Sequence, residues 1–164
     1  MAPQPPDAQA PGHPVSTFDA GPSVPPVPSE PPGAGGHGHV ATTRLEVVKS
    51  FRFEAAHLLP NVAESHKCRR LHGHSFAVDV HVRGPLGPVT GWVLDFADVA
   101  GAWEPVHELV DHRYLNEVPG LDNPTSEVLA VWIWDHLSPS LPGLAKVVVH
   151  ETCTSAVVYE RGSP

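Results

Sequence analysis

Three histidines and one cysteine stand at spacings that chemistry can use: His57, Cys68, His72 and His74. His72 and His74 lie two apart at the head of an alternating run, Phe76, Val78, Val80 and Val82, so in a strand both imidazoles project from one face. His57 ends an earlier alternating run, Leu45, Val47, Phe51, Phe53 and Ala55, and pairing of the two runs brings a third imidazole beside the other two. Three histidine ligands with an open fourth position are the pattern of a catalytic zinc, whereas a structural zinc is closed by four protein ligands. Cys68 decides between the two cases. It is the alternative fourth ligand, but it sits four residues before His72 on a loop carrying Lys67, Arg69 and Arg70, surroundings that favour a reactive thiolate. We read it as a base or nucleophile beside the metal.

The elements that must position these side chains follow from the periodicity. After the second alternating run, residues 84–91 are rich in Gly and Pro and read as a turn, and Trp92 to Asp95 as a short extended piece. Phe96, Val99, Trp103, Val106 and Val110 recur at helical spacing and lead into Asp111-His112-Arg113-Tyr114-Leu115-Asn116. Pro119 to Asn123 is loop. Pro124 suits the first turn of a second helix, capped by Asn123 or Thr125, with an apolar stripe of Val128, Leu129, Trp132, Ile133 and Leu137. Ala145 to Thr152 and Ala156 to Glu160 are β-branched and short enough to be a terminal hairpin. The order is ββααββ, an α+β fold with two helices on one face of a four-stranded antiparallel sheet.

Composition bounds what this unit is. The first 43 residues hold more than half of the 20 prolines and no Lys or Arg, so they are expected to be a disordered tail rather than a targeting signal, which needs a basic start and an apolar core. Gly35-Gly36-His37-Gly38-His39 lacks a preformed geometry and is not read as a metal site. The tail carries three of the 18 acidic residues and none of the 10 basic ones, leaving residues 44–162 as one domain with a net charge of −5, which disfavours nucleic acid. With two cysteines, Cys68 and Cys153, no signal peptide and no long apolar run, a cytoplasmic protein with reduced thiols is expected, free of any membrane partner. Cys153 reads as a core residue. His66, His81, His107, His136 and His150 lack partnering ligands and read as surface or hydrogen-bonding side chains. Glu151 shares strand parity with Val147 and Val149, so it points toward their buried side and needs a partner there.

Five ordered motifs carry a resemblance: Phe51-x-Phe53-x-Ala55-Ala56-His57, Cys68-x-x-x-His72-Gly73-His74, Asp111-His112-x-x-Leu115-Asn116, Asn123-Pro124-Thr125-Ser126-Glu127 and Glu151-Thr152. Together they resemble the 6-pyruvoyltetrahydropterin synthase family from Arg44 to Gly162. The resemblance implies a T-fold whose sheets join into an oligomeric barrel, a hexamer or tetramer. It implies Zn2+ on His57, His72 and His74, and proton transfer by Cys68, Asp111 and His112. A pterin would be bound by Glu151 with Thr125, Ser126 and Glu127. The three residues between Cys68 and His72 favour the branch in queuosine biosynthesis that converts 7,8-dihydroneopterin triphosphate to 6-carboxytetrahydropterin, acetaldehyde and triphosphate. Lys67, Arg69 and Arg70 would face the triphosphate, or form a solvated basic loop. Two alternatives stay open, the pyruvoyl outcome on the same ligands and a non-catalytic zinc- or pterin-binding module closed by Cys68.

Overall fold

The computed structural model describes residues 44–162; the expected disordered tail and the Gly35–His39 segment lie outside the described residues. Two long strands, β1 (Arg44–His57) and β2 (His72–Pro85), pair antiparallel over their full length, with Phe53 opposite Phe76 and His57 opposite His72. The helices α1 (Phe96–Val110) and α2 (Ser126–Leu137) follow, separated by a two-residue strand, β3 (Arg113–Tyr114). The chain closes with the hairpin β4 (Leu144–Thr152) and β5 (Ser155–Tyr159). The sheet order is β3-β1-β2-β4-β5. It is therefore five-stranded and mixed rather than four-stranded and antiparallel, because β3 lies parallel to Ala55 and Ala56 at the end of β1. Two residues between helices carry too little alternation to be read as a strand.

The helices cover one face of the sheet. Phe53, Phe76, Val78, Val80, Val147 and Val149 from the strands meet Val99, Trp103, Val106 and Val110 of α1 and Leu129, Ile133 and Leu137 of α2, all of them buried. Phe53 stacks on Phe76 with ring centroids 4.9 Å apart, close to the histidine end of the strands. Burial of this stripe holds α1 together although Pro105 interrupts its hydrogen-bond ladder. Asp95 caps α1 by accepting from the Ala97 N–H. Trp92 to Asp95 is not extended strand but an irregular turn leading into that cap. For α2 the cap is Thr125, whose hydroxyl accepts from the Val128 N–H, so Pro124 lies before the helix rather than in its first turn. Val128 and Phe96 are exposed, whereas Ala130 and Trp134 are buried, Trp134 edge-on to Tyr159. The β5 strand covers a second side of α2, so its apolar surface is wider than one stripe. Cys153 is exposed at the β4–β5 turn, and both cysteines are free. A hairpin linked by Cys153 and Thr154 turns those side chains outward, away from the core in which Cys153 was expected.

The opposite face of the sheet is polar and cross-linked. Glu46 on β1 takes hydrogen bonds from Arg83 (2.5 Å), His81 (2.7 Å) and Lys146 (3.2 Å), which tie β1, β2 and β4. Arg83 first, then His81, lower the Glu46 carboxyl to about 2. A carboxyl depressed in the folded state stabilises it above the unfolded value near 4.5, and that contribution disappears as pH falls through about 2. Discounted for solvent access, the effect is on the order of 1 kcal/mol. Thermal melts of the wild type should therefore lose stability between these pH values, and Glu46→Gln should flatten that acid limb. An unchanged limb would show that the network contributes nothing. His150 likewise pairs with Asp79 (2.9 Å), and His136 with the Trp132 carbonyl (2.8 Å), as expected of non-ligating histidines. No helix among the described residues is long and apolar enough to cross a membrane.

Candidate metal centre and active site

The β1–β2 register sets the centre. His57 and His72 are direct cross-strand partners and His74 is opposite Ala55, so the three rings share the helix-covered face at the end of the ladder. Their centroids are 4.5 Å (His57–His72), 5.2 Å (His57–His74) and 5.0 Å (His72–His74) apart. Gly73 stands between the two β2 histidines because a Cβ there would sit 3.0 Å from the Ala55 carbonyl oxygen. The rings are oriented from behind. The Nδ1 of His57 is 2.9 Å from the Pro124 carbonyl and that of His72 is 2.7 Å from the Arg70 carbonyl. A carbonyl can only accept, so each Nδ1 carries the proton and each Nε2 presents a lone pair.

Three histidines leave a fourth position of a tetrahedral site open. The structure brings Glu151 there from β4, one residue past the Ala77–His150 pair, and its side chain reaches His74. The Glu151 Oε1 lies 3.3 Å from the His74 Nε2 and 3.5 Å from the His57 Nε2, and the ligand atoms of His57, His72, His74 and Glu151 all fall within 4.8 Å of one another. Yet the Nε2 atoms of His57 and His74 are buried without a hydrogen-bond partner. Burial pushes the pKa of both rings down, keeping them neutral. Buried, neutral, converging and unsatisfied nitrogen atoms fit a bound metal ion.

Cys68 is outside this group of ligand atoms. It lies half-buried on a short turn, Lys67–Arg69, whose His66 ring accepts from the Cys68 N–H (3.2 Å). The Cys68 carbonyl accepts from the Leu59 N–H (2.8 Å), which pins the cysteine loop to the chain just beyond His57. Arg69 donates to the carbonyls of Pro60 and Val62, so it braces this loop, whereas Lys67 and Arg70 form no ion pair among the described residues. Asn116 grips the same segment through the Leu58 N–H (3.0 Å) and carbonyl (2.9 Å). Asn123 accepts from the Asn61 N–H (3.4 Å), so both asparagines are scaffold residues of their motifs, a role that no local pattern disclosed.

Asp111 and His112 form a second unit where α1 ends. Asp111 accepts from the Glu54 N–H (3.0 Å) with one oxygen and lies 2.8 Å from the His112 Nδ1 with the other. The Glu54 N–H first, and His112 next, hold the Asp111 carboxyl below its usual range. His112 has φ 55°, a left-handed conformation that costs a side-chain-bearing residue about 1–2 kcal/mol. It is held by its N–H donating to the Glu54 carbonyl at 2.6 Å. This clamp leaves the His112 Nε2 facing solvent, the ring 79% exposed, over an open cleft of about 520 Å3 that His74, Arg113 and Tyr114 also line. His107 approaches Asp111 from α1 at 3.8 Å. A second cleft, of about 330 Å3, brings together Thr125, Ser126, Glu127 and Glu151. Ser126 is buried and donates to the Glu151 Oε2 at 3.1 Å, Glu127 is exposed, and Thr125 is committed to its helix cap.

Comparison with known proteins agrees with this geometry. Over 119 residues the chain is 47% identical to 6-carboxy-5,6,7,8-tetrahydropterin synthase of Synechocystis sp., covering 69% of this chain and 91% of that protein. It is 35% identical over 133 residues to 6-pyruvoyl tetrahydrobiopterin synthase of Homo sapiens, covering 71% and 92%. The fold superposes on that of Caenorhabditis elegans 6-pyruvoyl tetrahydropterin synthase with a TM-score of 0.68 at 26% identity, over 73% of this chain and 97% of that one. The family model of 6-pyruvoyl tetrahydropterin synthase matches residues 46–162, from the third residue of β1 to the end of the described chain. The chain belongs to the 6-pyruvoyl tetrahydropterin synthase family, and its structure is the family's T-fold.

Proposed function

We propose that residues 44–162 are a zinc-dependent lyase that converts 7,8-dihydroneopterin triphosphate to 6-carboxy-5,6,7,8-tetrahydropterin, acetaldehyde and triphosphate, as in queuosine biosynthesis. The observation that carries the chemistry is the convergence of His57, His72 and His74 with Glu151, where His74 lines the cleft that holds His112 and Glu151 lines the second cleft. The 47% identity to the Synechocystis carboxy enzyme, against 35% to the human pyruvoyl enzyme, supports the branch.

In this reading His57, His72 and His74 hold the ion. Bound zinc supplies Lewis acidity, which makes side-chain hydroxyls of the pterin easier to deprotonate. Cys68, held outside the ligand set, removes a proton from a side-chain carbon. The His112 Nε2 moves protons to and from the side chain, while Asp111 holds its Nδ1 and so fixes its tautomer and orientation. Glu151, Thr125, Ser126 and Glu127 receive the pterin ring, whose parallel N–H donors suit a carboxylate. Lys67 and Arg70 offer charge to the triphosphate.

Incubating the zinc-loaded protein with 7,8-dihydroneopterin triphosphate and weighing the products by mass spectrometry tests this reading. Acetaldehyde with a carboxypterin is expected. A pyruvoyl product without acetaldehyde would place the chain in the other branch, and unchanged substrate would contradict the enzyme assignment. The single chain also leaves β5 as an outer strand, with Val158 59% exposed, and β3 covers only two residues of the other edge. Edges of this kind are closed against other copies in a barrel, so a homo-oligomer is expected by sedimentation at micromolar concentration. A monomer there would contradict it.

A further inference from the structure

Glu151 is placed where a pterin anchor alone has no need to be. We propose that its carboxylate completes the metal's coordination in the substrate-free protein, which makes it a displaceable fourth ligand; this rests on the metal reading above. Two ligand atoms each about 2.0–2.1 Å from a tetrahedral zinc are separated by about 3.3–3.4 Å. The Glu151 Oε1 stands 3.3 Å from the His74 Nε2 and 3.5 Å from the His57 Nε2, which is the edge of such a tetrahedron. The same contacts are not hydrogen bonds, since both Nε2 atoms remain unsatisfied. The His57 Nε2 presents a lone pair, which repels a carboxylate oxygen unless a cation or a proton lies between them, and one cation shared with the His74 Nε2 accounts for both contacts.

The other carboxylate oxygen explains how the group is held and how it can leave. The Glu151 Oε2 accepts from Ser126, a buried hydroxyl at the first turn of α2, and that turn borders the cleft proposed for the pterin. Ser126 therefore fixes which oxygen faces the histidines. Arrival of paired N–H donors in the cleft offers the carboxylate a competing partner and frees a metal position for substrate oxygen. Glu151 then excludes water from the ion until substrate is bound.

Metal binding measured without substrate tests this. Zinc competition against a chromophoric chelator should show affinity weakened by at least about tenfold in Glu151→Ala and Glu151→Gln, and by about tenfold in Ser126→Ala, as outer-sphere partners typically contribute. In the Co2+-loaded wild type the visible absorption should not change between about pH 6 and 9. In Glu151→Ala a metal-bound water should replace the carboxylate and give a spectrum that titrates, since such waters ionise near neutral pH. If the wild-type spectrum titrates and both Glu151 variants keep wild-type zinc affinity, the inference is overturned while the three-histidine centre stands. If the wild type binds neither ion, the metal reading fails and takes the inference with it. Should Glu151→Ala not fold, Glu151→Gln and Ser126→Ala still decide the point.

Discussion

Replacing His72 or His74 by alanine is expected to remove bound zinc and catalytic turnover together. Each imidazole reaches the centre from β2 with its Nε2 aimed at the others, and no neighbouring side chain can take its place without moving the strand. Loss of one of the three nitrogen ligands leaves two histidines and a carboxylate at positions set for a four-donor site, with one donor replaced by a void, so the remaining set holds the ion more weakly. Because the ion binds only the folded site, the variants should also lose the stability it confers, about 4 kcal/mol where free zinc exceeds its dissociation constant a thousandfold. Elemental analysis and melting with and without a chelator check both parts. The wild-type melting temperature should fall on chelation and the variants' should not. A His74→Ala protein that retained one zinc per chain would contradict the assignment.

Cys68→Ala should behave in the opposite way. Its backbone already pins the loop through Leu59 and His66, so removing the sulfur leaves the loop's own hydrogen bonds in place. Zinc content and melting temperature should stay near those of the wild type, while turnover falls by about 10²- to 10⁴-fold, the usual contribution of one general base. Iodoacetamide should inactivate the wild type, and bound substrate should protect it. A Cys68→Ala protein that keeps wild-type turnover would remove Cys68 from the chemistry.

Legibility followed the range of the forces involved. The alternation in Phe51, Phe53, Ala55 and His57, and in His72, His74 and Phe76, disclosed both long strands and the facing of all three imidazoles, because one buried face dictates side-chain parity. Glu151 was legible as an inward carboxylate, but its partner was not: the β2–β4 pairing that carries it to His74 spans about 75 residues of chain that local pattern does not see. The same holds for Asp111, whose hydrogen bond to Glu54 spans 57 residues of chain, so its place at the end of α1 and its hold on His112 emerge only in the fold. β3 escaped because two residues cannot show a period. Cys153 was misplaced because its apolar character said nothing about the hairpin turn on which it falls.

The most direct measurement of the central claim, that the histidines hold the metal and leave Cys68 free to react, is the zinc K-edge absorption spectrum of the loaded protein without substrate. Only nitrogen and oxygen neighbours at about 2.0–2.2 Å are expected, with the same spectrum in Cys68→Ala. A sulfur neighbour at about 2.3 Å, lost in Cys68→Ala, would make Cys68 a ligand and contradict the account.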